Sequence, residues 1–391
     1  MEKLASKRNY FDYNATSPLS KSVKDWLGKG DFSYANPSSG HSSGKSANYE
    51  VQGVFSDILN TFNISKSHDI FFHSGATEGI NTIVKGFAHS LALEGKKLHF
   101  FHSSIDHAAA SDLRGYLEFY GHFVHTWAVD EKAQFDFEKL KKEIALCPSG
   151  TALVNYTYVN NEVGVVWPLE EIKSLKDETG AIIHVDAVQS PGKVENWEKI
   201  LPELDFYTYS SHKFGGLKGI GFTFVSRVAP SIEPLLRGGG QQGGKRSGTL
   251  NTMGIISTKL ALQDLKKNYK AQESFDSIDF LRTKLRHLLG HEGRIIVCDA
   301  PCKNSNTIFF IIDGKDSNSL MMAFDLGQID VGTGSACSSG ILTPNKTLIN
   351  LGCSEKEAQS GIRLSFEPNL NLVKAKSYWD KINKVLQKVL S

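Results

Sequence analysis

Short apolar runs alternate with amphipathic stretches along most of the chain. The run at residues 181–186 is typical, because it follows Gly180, precedes Pro191 and Gly192, and ends in the carboxylate Asp186. Apolar runs of this length, bounded by turn-forming residues, indicate strands of a parallel sheet. Further strands are predicted at residues 69–73, 97–102, 122–128, 151–159, 205–209, 222–225, 294–297, 306–312, 329–332 and 361–366.

Amphipathic stretches fill several of the intervals between these strands. They predict a helix at residues 21–28 that Ser20 caps, a helix at residues 43–62, and two long helices within residues 254–289. Such an alternation is typical of an α/β fold whose large domain carries a mainly parallel sheet. At 391 residues, two domains are expected. We predict a large domain at residues 15–255, and a smaller α+β domain at residues 256–391 that includes the N-terminal segment 1–14.

Composition adds limits to this picture. Apolar residues make up 40% of the chain, charged residues make up 22%, and the formal net charge is +2. This balance gives no reason to expect a nucleic acid or an anionic membrane as partner. No apolar run is long enough for a membrane span or a signal peptide, so we expect a cytoplasmic protein. The five cysteines are Cys147, Cys298, Cys302, Cys337 and Cys353. An odd and sparse set in a chain of this length argues against a disulfide framework, and no metal site is predicted among these cysteines.

The first candidate for chemistry is Lys213, which follows a strand-like run on a tight polar turn. Such a lysine is most often a solvated loop residue, but it can also form a Schiff base with a carbonyl cofactor. Asp186 ends another predicted strand, where ligands of open α/β sheets bind. It could cap a helix, or it could pair with the protonated nitrogen of pyridoxal phosphate. Together the two residues indicate a site for that cofactor.

A phosphate site is predicted where residues 74–79 lead from a strand into a helix. The small residues of this turn expose backbone N–H groups, and a helix N-terminus favours an anion. Ala76 and Thr77 would then donate N–H and hydroxyl hydrogen bonds. The alternative is an ordinary capped helix start.

In seven motifs the chain resembles the cysteine desulfurases of the class V aminotransferase group, of the NifS/IscS-like type. The motifs lie at residues 74–78 (SGATE), 105–107 (IDH), 159–164 (VNNEVG), 184–190 (HVDAVQS), 211–213 (SHK), 246–249 (RSGT) and 334–339 (GSACSS). The resemblance extends from about Asp12 to Arg363. It implies the fold type I architecture of pyridoxal-phosphate-dependent transferases.

The resemblance also assigns roles to individual residues. Lys213 would carry the cofactor, and His107 would stack on its ring and help to move protons. The residues expected to contact the cofactor are Ala76, Thr77, His107, Asn161, Asp186, Gln189, Ser210, His212, Lys213 and Thr249. Asn36, Asn161 and Arg363 would bind the substrate, with the guanidinium of Arg363 on its carboxylate. Thr249 would reach the phosphate of a second subunit, which implies a homodimer.

Cys337 separates a desulfurase from other members of the group. It lies among glycine, serine and alanine, a composition that favours a mobile loop over a packed core. The resemblance implies that its thiolate takes sulfur from L-cysteine, which leaves a persulfide and releases L-alanine. The sulfur would pass to an acceptor protein or iron–sulfur scaffold, with contact to the cluster through Cys337, or to tRNA or cofactor thiolation. A selenocysteine lyase, another class V aminotransferase and a non-catalytic binding protein remain alternatives.

Overall fold

A computed structural model of the protein describes residues 8–30, 32–334 and 343–391. Its strands are β1 (Asn9–Phe11), β2 (His68–His73), β3 (His99–Ser103), β4 (Phe123–Trp127), β5 (Ala152–Thr157), β6 (Ile182–Asp186), β7 (Phe206–Ser210), β8 (Gly221–Ser226), β9 (Gly293–Ile295), β10 (Thr307–Ile312), β11 (Ile329–Val331) and β12 (Ile362–Ser365).

The longer helices are α1 (Lys21–Lys29), α2 (Ser42–Thr61), α3 (Ala76–Leu93), α6 (Phe137–Ala145), α7 (Leu169–Thr179), α8 (Thr252–Asn268), α9 (Ala271–Leu289), α10 (Ser317–Leu326) and α13 (Leu372–Leu390). The short ones are α4 (Ala108–Ser111), α5 (Leu113–Phe119), α11 (Lys346–Asn350) and α12 (Glu355–Ala358). Every strand and helix that the hydrophobic pattern predicts is present, with ends within two residues of the expected ones. Ser20 caps α1, as expected, by accepting a hydrogen bond from Val23 N.

A seven-stranded sheet with the order β2-β8-β7-β6-β5-β3-β4 organises the first two thirds of the chain. The strands from β7 to β4 run parallel, whereas β8 pairs antiparallel with both of its neighbours. The alternation of side chains along each strand supplies two apolar cores on opposite faces. Phe100 and Leu153 pack in one core, while Phe101 and Val154 pack in the other.

The C-terminal part has its own antiparallel sheet, with the order β12-β10-β9. A third core covers it with apolar side chains of α9, α10 and α13. Phe11 of β1 belongs to this core, and β1 pairs parallel with β11. The N-terminal strand therefore packs with the C-terminal part, whereas the predicted domain boundaries stay a prediction.

The parallel strands place their carboxyl ends along one edge of the large sheet. Ser103, Thr157, Asp186 and Ser210 end β3, β5, β6 and β7. Ligands of such sheets bind beyond this edge. Within the described residues, no helix combines the length and the apolar character that crossing a membrane needs.

Candidate active site

A cavity of about 1140 Å³ opens beyond the carboxyl ends of the parallel strands. Ten of the predicted site residues line it: Ala76, Thr77, His107, Asn161, Asp186, Gln189, Ser210, His212, Lys213 and Arg363. They come from at least four strand ends and from β12, so the fold brings together residues that are up to 287 positions apart in the sequence.

Lys213 lies in the cavity because it belongs to a short 3₁₀ turn, Ser211–Lys213, that directly follows β7. Its Nζ donates hydrogen bonds to the backbone oxygens of Asn14 at 2.8 Å and Ala15 at 2.9 Å. Burial, and then the positive charge of Arg363, lower the pKa of Lys213 to about 8. A large fraction of this amine is therefore neutral near physiological pH, which is the form that attacks a carbonyl group.

Asp186 is the buried carboxylate of the cavity. Burial raises its pKa, and the positive fields of His107 and Lys213 oppose that shift. Its Oδ1 accepts a hydrogen bond from Val188 N at 3.1 Å. Among the described residues no lysine or arginine forms an ion pair with it. A cationic ring nitrogen would supply the missing charge, and so the position fits the pyridinium of pyridoxal phosphate.

The start of α3 is the cavity's site for an anion. The helix begins at Ala76, and residues 74–77 line the cavity, so the N–H groups of Ala76 and Thr77 lie at the cavity ahead of the first helical hydrogen bonds, which Glu78 and Gly79 donate to Gly75. Glu78 does not oppose an anion there, because it is held by Arg246 at 2.8 Å and by Ser74 N at 2.8 Å. Burial would raise the pKa of Glu78, but these bonds outweigh it and lower the pKa to about 2.

His212 also lines the cavity. Burial, followed by the charge of Lys213, lowers its pKa to about 4, so the ring is neutral at physiological pH. Its Nδ1 is 3.2 Å from Thr16 Oγ1. These neighbours and the helix start fit a phosphate group.

Arg363 offers a site for a carboxylate. Its Nη2 donates to Asp12 Oδ1 at 2.7 Å and its Nη1 to the Asn161 backbone oxygen at 3.1 Å. Its Nε is buried and has no partner among the described residues. The guanidinium is thus fixed in orientation where it lines the cavity, and each of its two terminal nitrogens carries a second N–H, which suits a substrate carboxylate.

Sequence reasoning missed two buried residues, Asn14 and Lys193, that contact predicted site residues. The Asn14 backbone oxygen accepts hydrogen bonds from Lys213 Nζ and from Gln189 Nε2, the second at 3.0 Å. Lys193 Nζ donates to Gln189 Oε1. Burial holds the pKa of Lys193 well below its usual value, which favours the neutral amine. Both contacts fix the amide of Gln189, and only a comparison with known site residues could have found them in the sequence.

Asp106, in the motif at residues 105–107, is a second carboxylate that received no predicted role. Burial raises its pKa to about 7, although Thr157 and Asn155 each donate to it at 2.7 Å. Asn155 Oδ1 also lies 2.7 Å from His184 Nδ1, and His184 Nε2 lies 2.8 Å from Thr208 Oγ1. Burial lowers the pKa of His184 to about 3, so the ring is neutral. A hydrogen-bonded chain therefore runs from Asp106 across β5, β6 and β7, through the neutral ring of His184.

Glu162 is the fourth missed residue, and it holds two residues that follow the segment carrying Cys337. Its Oε2 accepts from Asn345 Nδ2 at 2.6 Å and its Oε1 from Thr347 Oγ1 at 3.0 Å. A side chain on Gly334 would meet the same Asn345 amide at 2.3 Å and Glu162 Oε2 at 2.5 Å, and Gly334 has φ +77°. Glycine is required at this position because both the conformation and the close approach exclude a Cβ.

Three predicted site residues are not part of this chain's cavity as described. Asn36 is exposed outside it, and its Oδ1 accepts from Ser38 N at 2.9 Å. Thr249 is also exposed and outside the cavity lining. Cys337 lies outside the described residues. However, Gly334 and Thr343, which flank its segment, both line the cavity.

The sequence profile of the family "Aminotransferase class-V" matches residues 9–371. The chain is 31% identical over 371 residues to "Cysteine desulfurase IscS" of Dictyoglomus turgidum, a match that covers 91% of this chain and 89% of the relative. It is 33% identical to "Cysteine desulfurase IscS 1" of Archaeoglobus fulgidus, over 91% of both chains.

Solved structures agree with this assignment. A NifS-like protein from Rickettsia africae superposes with a TM-score of 0.83 at 28% identity, over 97% of this chain and 99% of that one. SspA in complex with cysteine superposes with a TM-score of 0.75, also at 28% identity, over 92% and 99%. The predicted α/β fold with a mainly parallel sheet is confirmed, and a chain with these motifs, this fold and these relatives belongs to the class V aminotransferase family.

Proposed function

We propose that this protein is a cysteine desulfurase that uses pyridoxal phosphate, L-cysteine and the thiol of Cys337. The observation that carries the proposal is the position of Gly334 and Thr343. Both line the cavity that holds Lys213, and Cys337 lies in the segment between them. An aminotransferase needs only the amine and the cofactor site, whereas a desulfurase also needs a thiol beside them. The names of the relatives support the same activity.

The described residues fit the cofactor at three points. The start of α3 with His212 would bind the phosphate, Asp186 would pair with the ring nitrogen, and Gln189 would donate to the ring oxygen. Ser210 and Asn161 line the same space. Bound pyridoxal phosphate supplies an electron sink for the substrate carbon next to the amine.

The remaining steps belong to this chain's own side chains. Arg363 binds the carboxylate of L-cysteine and orients its sulfur toward the Cys337 segment. Lys213 moves a proton at the substrate carbons, since its lowered pKa lets it both take and return one near neutral pH. His107, whose Nδ1 is occupied by Ala109 N at 3.0 Å, keeps Nε2 for proton transfer. Cys337 then attacks the substrate sulfur and becomes a persulfide while L-alanine leaves.

Several further features belong to the proposal. Thr249, exposed on this chain, would contact the phosphate in a partner subunit, so the active form would be a homodimer. The sulfur would pass to an acceptor protein or an iron–sulfur scaffold, in the cytoplasm. Asn36 would contact substrate only if the dimer brings it to a cavity.

The decisive experiment incubates the holoenzyme with L-cysteine and measures L-alanine, sulfide and the mass of the tryptic peptides. We expect alanine, and an added sulfur atom on the peptide with Cys337 when no reductant is present. The matched control is Cys337→Ser, which should bind the cofactor normally and form neither product. Alanine that appears only with a keto acid would instead identify an aminotransferase. A strong preference for selenocysteine would identify a lyase for that substrate.

A further inference from the structure

Two histidines and a cysteine meet at the edge of the large sheet, away from the cavity. His99 begins β3, His125 lies in the edge strand β4, and Cys147 follows α6. One donor atom of each lies within 4.8 Å of the other two, and all three residues are partly exposed. The cavity lies beyond the other end of β3, about 13 Å away for a strand that rises about 3.3 Å per residue. This cluster therefore belongs to a different place from the candidate active site.

The two imidazole nitrogens lie close enough to be ligands of one ion. His99 Nδ1 and His125 Nε2 lie 3.1 Å apart. In a tetrahedral zinc site with Zn–N bonds of about 2.0–2.1 Å, two nitrogen ligands are separated by about 3.3 Å. The two atoms therefore need to move apart by about 0.2 Å, and the rings, which now share a hydrogen bond, need to turn so that both lone pairs point to the same ion.

Aromatic stacking fixes the planes of both rings. The His99 ring stacks on Phe123 at 4.6 Å and lies nearly coplanar with the His125 ring, whose centroid is 5.4 Å away, and His125 stacks on Phe101 at 4.3 Å. The interplanar angles are 23°, 13° and 13°. Ring orientations that are held before binding reduce the entropy that ligation costs.

The charges around the cluster suit a cation as well. Cys147 Sγ is 3.6 Å from the Glu143 backbone oxygen. The Glu143 carboxylate acts electrostatically on both His125 and Cys147. Arg114 is a positive charge near His125 that would repel a cation, but it forms an ion pair with Glu118 at 2.8 Å.

We propose that His99, His125 and Cys147 form a binding site for a zinc ion, with water in the fourth position. Two imidazoles and a thiolate are the ligand types that zinc prefers, and the partial exposure of the cluster leaves room for the water. On binding, the Cys147 thiol releases one proton to solvent, while the N–H shared between the two rings moves to the other nitrogen of its ring. The site is structural, because it links β3, β4 and the end of α6 at the amino-terminal side of the sheet.

The test uses the full-length holoenzyme with Cys337→Ala, so that the candidate active-site thiol cannot bind metal. After chelation and dialysis, Zn²⁺ is titrated against a metal-binding dye, and Co²⁺ serves as a spectroscopic probe. We expect one Zn²⁺ per chain, a rise in melting temperature with zinc, and a sulfur-to-cobalt charge-transfer band. Adding Cys147→Ser should abolish the band and weaken zinc binding by at least about tenfold, since even outer partners of metal ligands contribute that much.

Cys302→Ser is the matched control, because Cys302 is an exposed cysteine on another part of the chain. It should leave zinc stoichiometry, the cobalt band and the melting shift unchanged. His125→Gln serves as a second ligand variant, and the cofactor absorbance reports whether each variant folds. The proposal fails if the Cys337→Ala protein binds no zinc. It fails equally if zinc binding survives both Cys147→Ser and His125→Gln, or if Cys302→Ser removes it.

Discussion

At the scale of single residues, burial decides the chemistry of Lys213. Its pKa falls from 10.5 to about 8 because the folded protein removes water from the ammonium group and places Arg363 nearby. The neutral, reactive fraction therefore grows as pH rises through about 8. We expect the rate at which apoenzyme takes up pyridoxal phosphate to increase with pH and to level off above that value. Absorbance, followed by borohydride reduction and peptide mapping, measures this uptake.

Lys199, an exposed lysine that does not line the cavity, serves as the control for this experiment. Lys199→Ala should keep the pH profile, whereas Lys213→Ala should lose the borohydride-reducible bond altogether. A midpoint near 10.5, the ordinary value for lysine, would contradict the role of burial.

Arg363 gives a second test at this scale. Arg363→Lys keeps a positive charge near Asp12 but loses the planar fork of N–H donors. We expect KM for L-cysteine to rise about tenfold or more, because a hydrogen bond to a charged group contributes about 1.5–3 kcal/mol. Cofactor absorbance should not change. Steady-state kinetics at several cysteine concentrations would show this, and an unchanged KM would remove Arg363 from the substrate site.

The sequence could identify residues with family motifs, but not the ones that support them. Asp186 and Lys213 were predictable because each follows its own apolar strand. Lys193 was not, because nothing local distinguishes a buried lysine from a solvated one. Its burial depends on Gln189 and on Ser305, which lies 112 positions further along the chain.

At the scale of secondary-structure elements, Glu162 ties the β5 side of the cavity to the segment around Cys337. Glu162→Ala removes both acceptors of Asn345 and Thr347 and leaves their donors buried without partners. We expect persulfide formation to slow by about tenfold or more, as the loss of hydrogen bonds to a charged group predicts. The cofactor spectrum and its response to cysteine should stay normal. Rapid-quench mass spectrometry measures the persulfide rate.

The exposed glutamate Glu170 supplies the control for this variant. Glu170→Ala should leave the persulfide rate unchanged, and Glu162→Gln, which keeps one acceptor, should fall between wild type and Glu162→Ala. If Glu162→Ala forms persulfide at the wild-type rate, the segment around Cys337 does not depend on the hydrogen bonds of Glu162 to Asn345 and Thr347.

The elements themselves were predictable, since apolar runs and helical periodicity are local properties. The order and direction of the strands in the sheet were harder to predict from the sequence. β8 lies antiparallel between β7 and β2, although its sequence reads like the other buried strands. Its direction follows from the short turn after Lys213 and from pairing with β2, which lies about 150 positions earlier.

At the scale of the whole molecule, the N-terminal segment joins the two parts of the chain at the cavity. Phe11 packs in the C-terminal core, Asp12 holds Arg363, and Asn14 accepts from Lys213. Asn14 Nδ2 also donates to Thr307 Oγ1 at 2.8 Å. Lys213 and Arg363 therefore face one cavity within a single chain, whereas Thr249 does not reach it.

This distribution leads to a prediction about the dimer. Lys213→Ala and Thr249→Glu should each be nearly inactive as homodimers, the second because its carboxylate would repel the partner's bound phosphate. In a mixed dimer, one site combines an intact Lys213 with an intact Thr249. Random exchange of subunits makes half of the dimers mixed, and one of their two sites is native, so activity should recover to about a quarter of wild type.

The control mixes Lys213→Ala with Arg363→Ala. Because both residues line the same chain's cavity, neither site of that mixed dimer is native, and no activity should return. Two affinity tags on the coexpressed chains isolate the mixed dimers, and alanine release measures their activity. After this isolation every dimer is mixed, so the dimers of Lys213→Ala with Thr249→Glu should have about half of the wild-type activity. Equal recovery in both mixtures would show that Lys213 and Arg363 come from different subunits in a working site. No recovery in either mixture, with the mixed dimers isolated, would place the function of Thr249 within its own chain or outside the site.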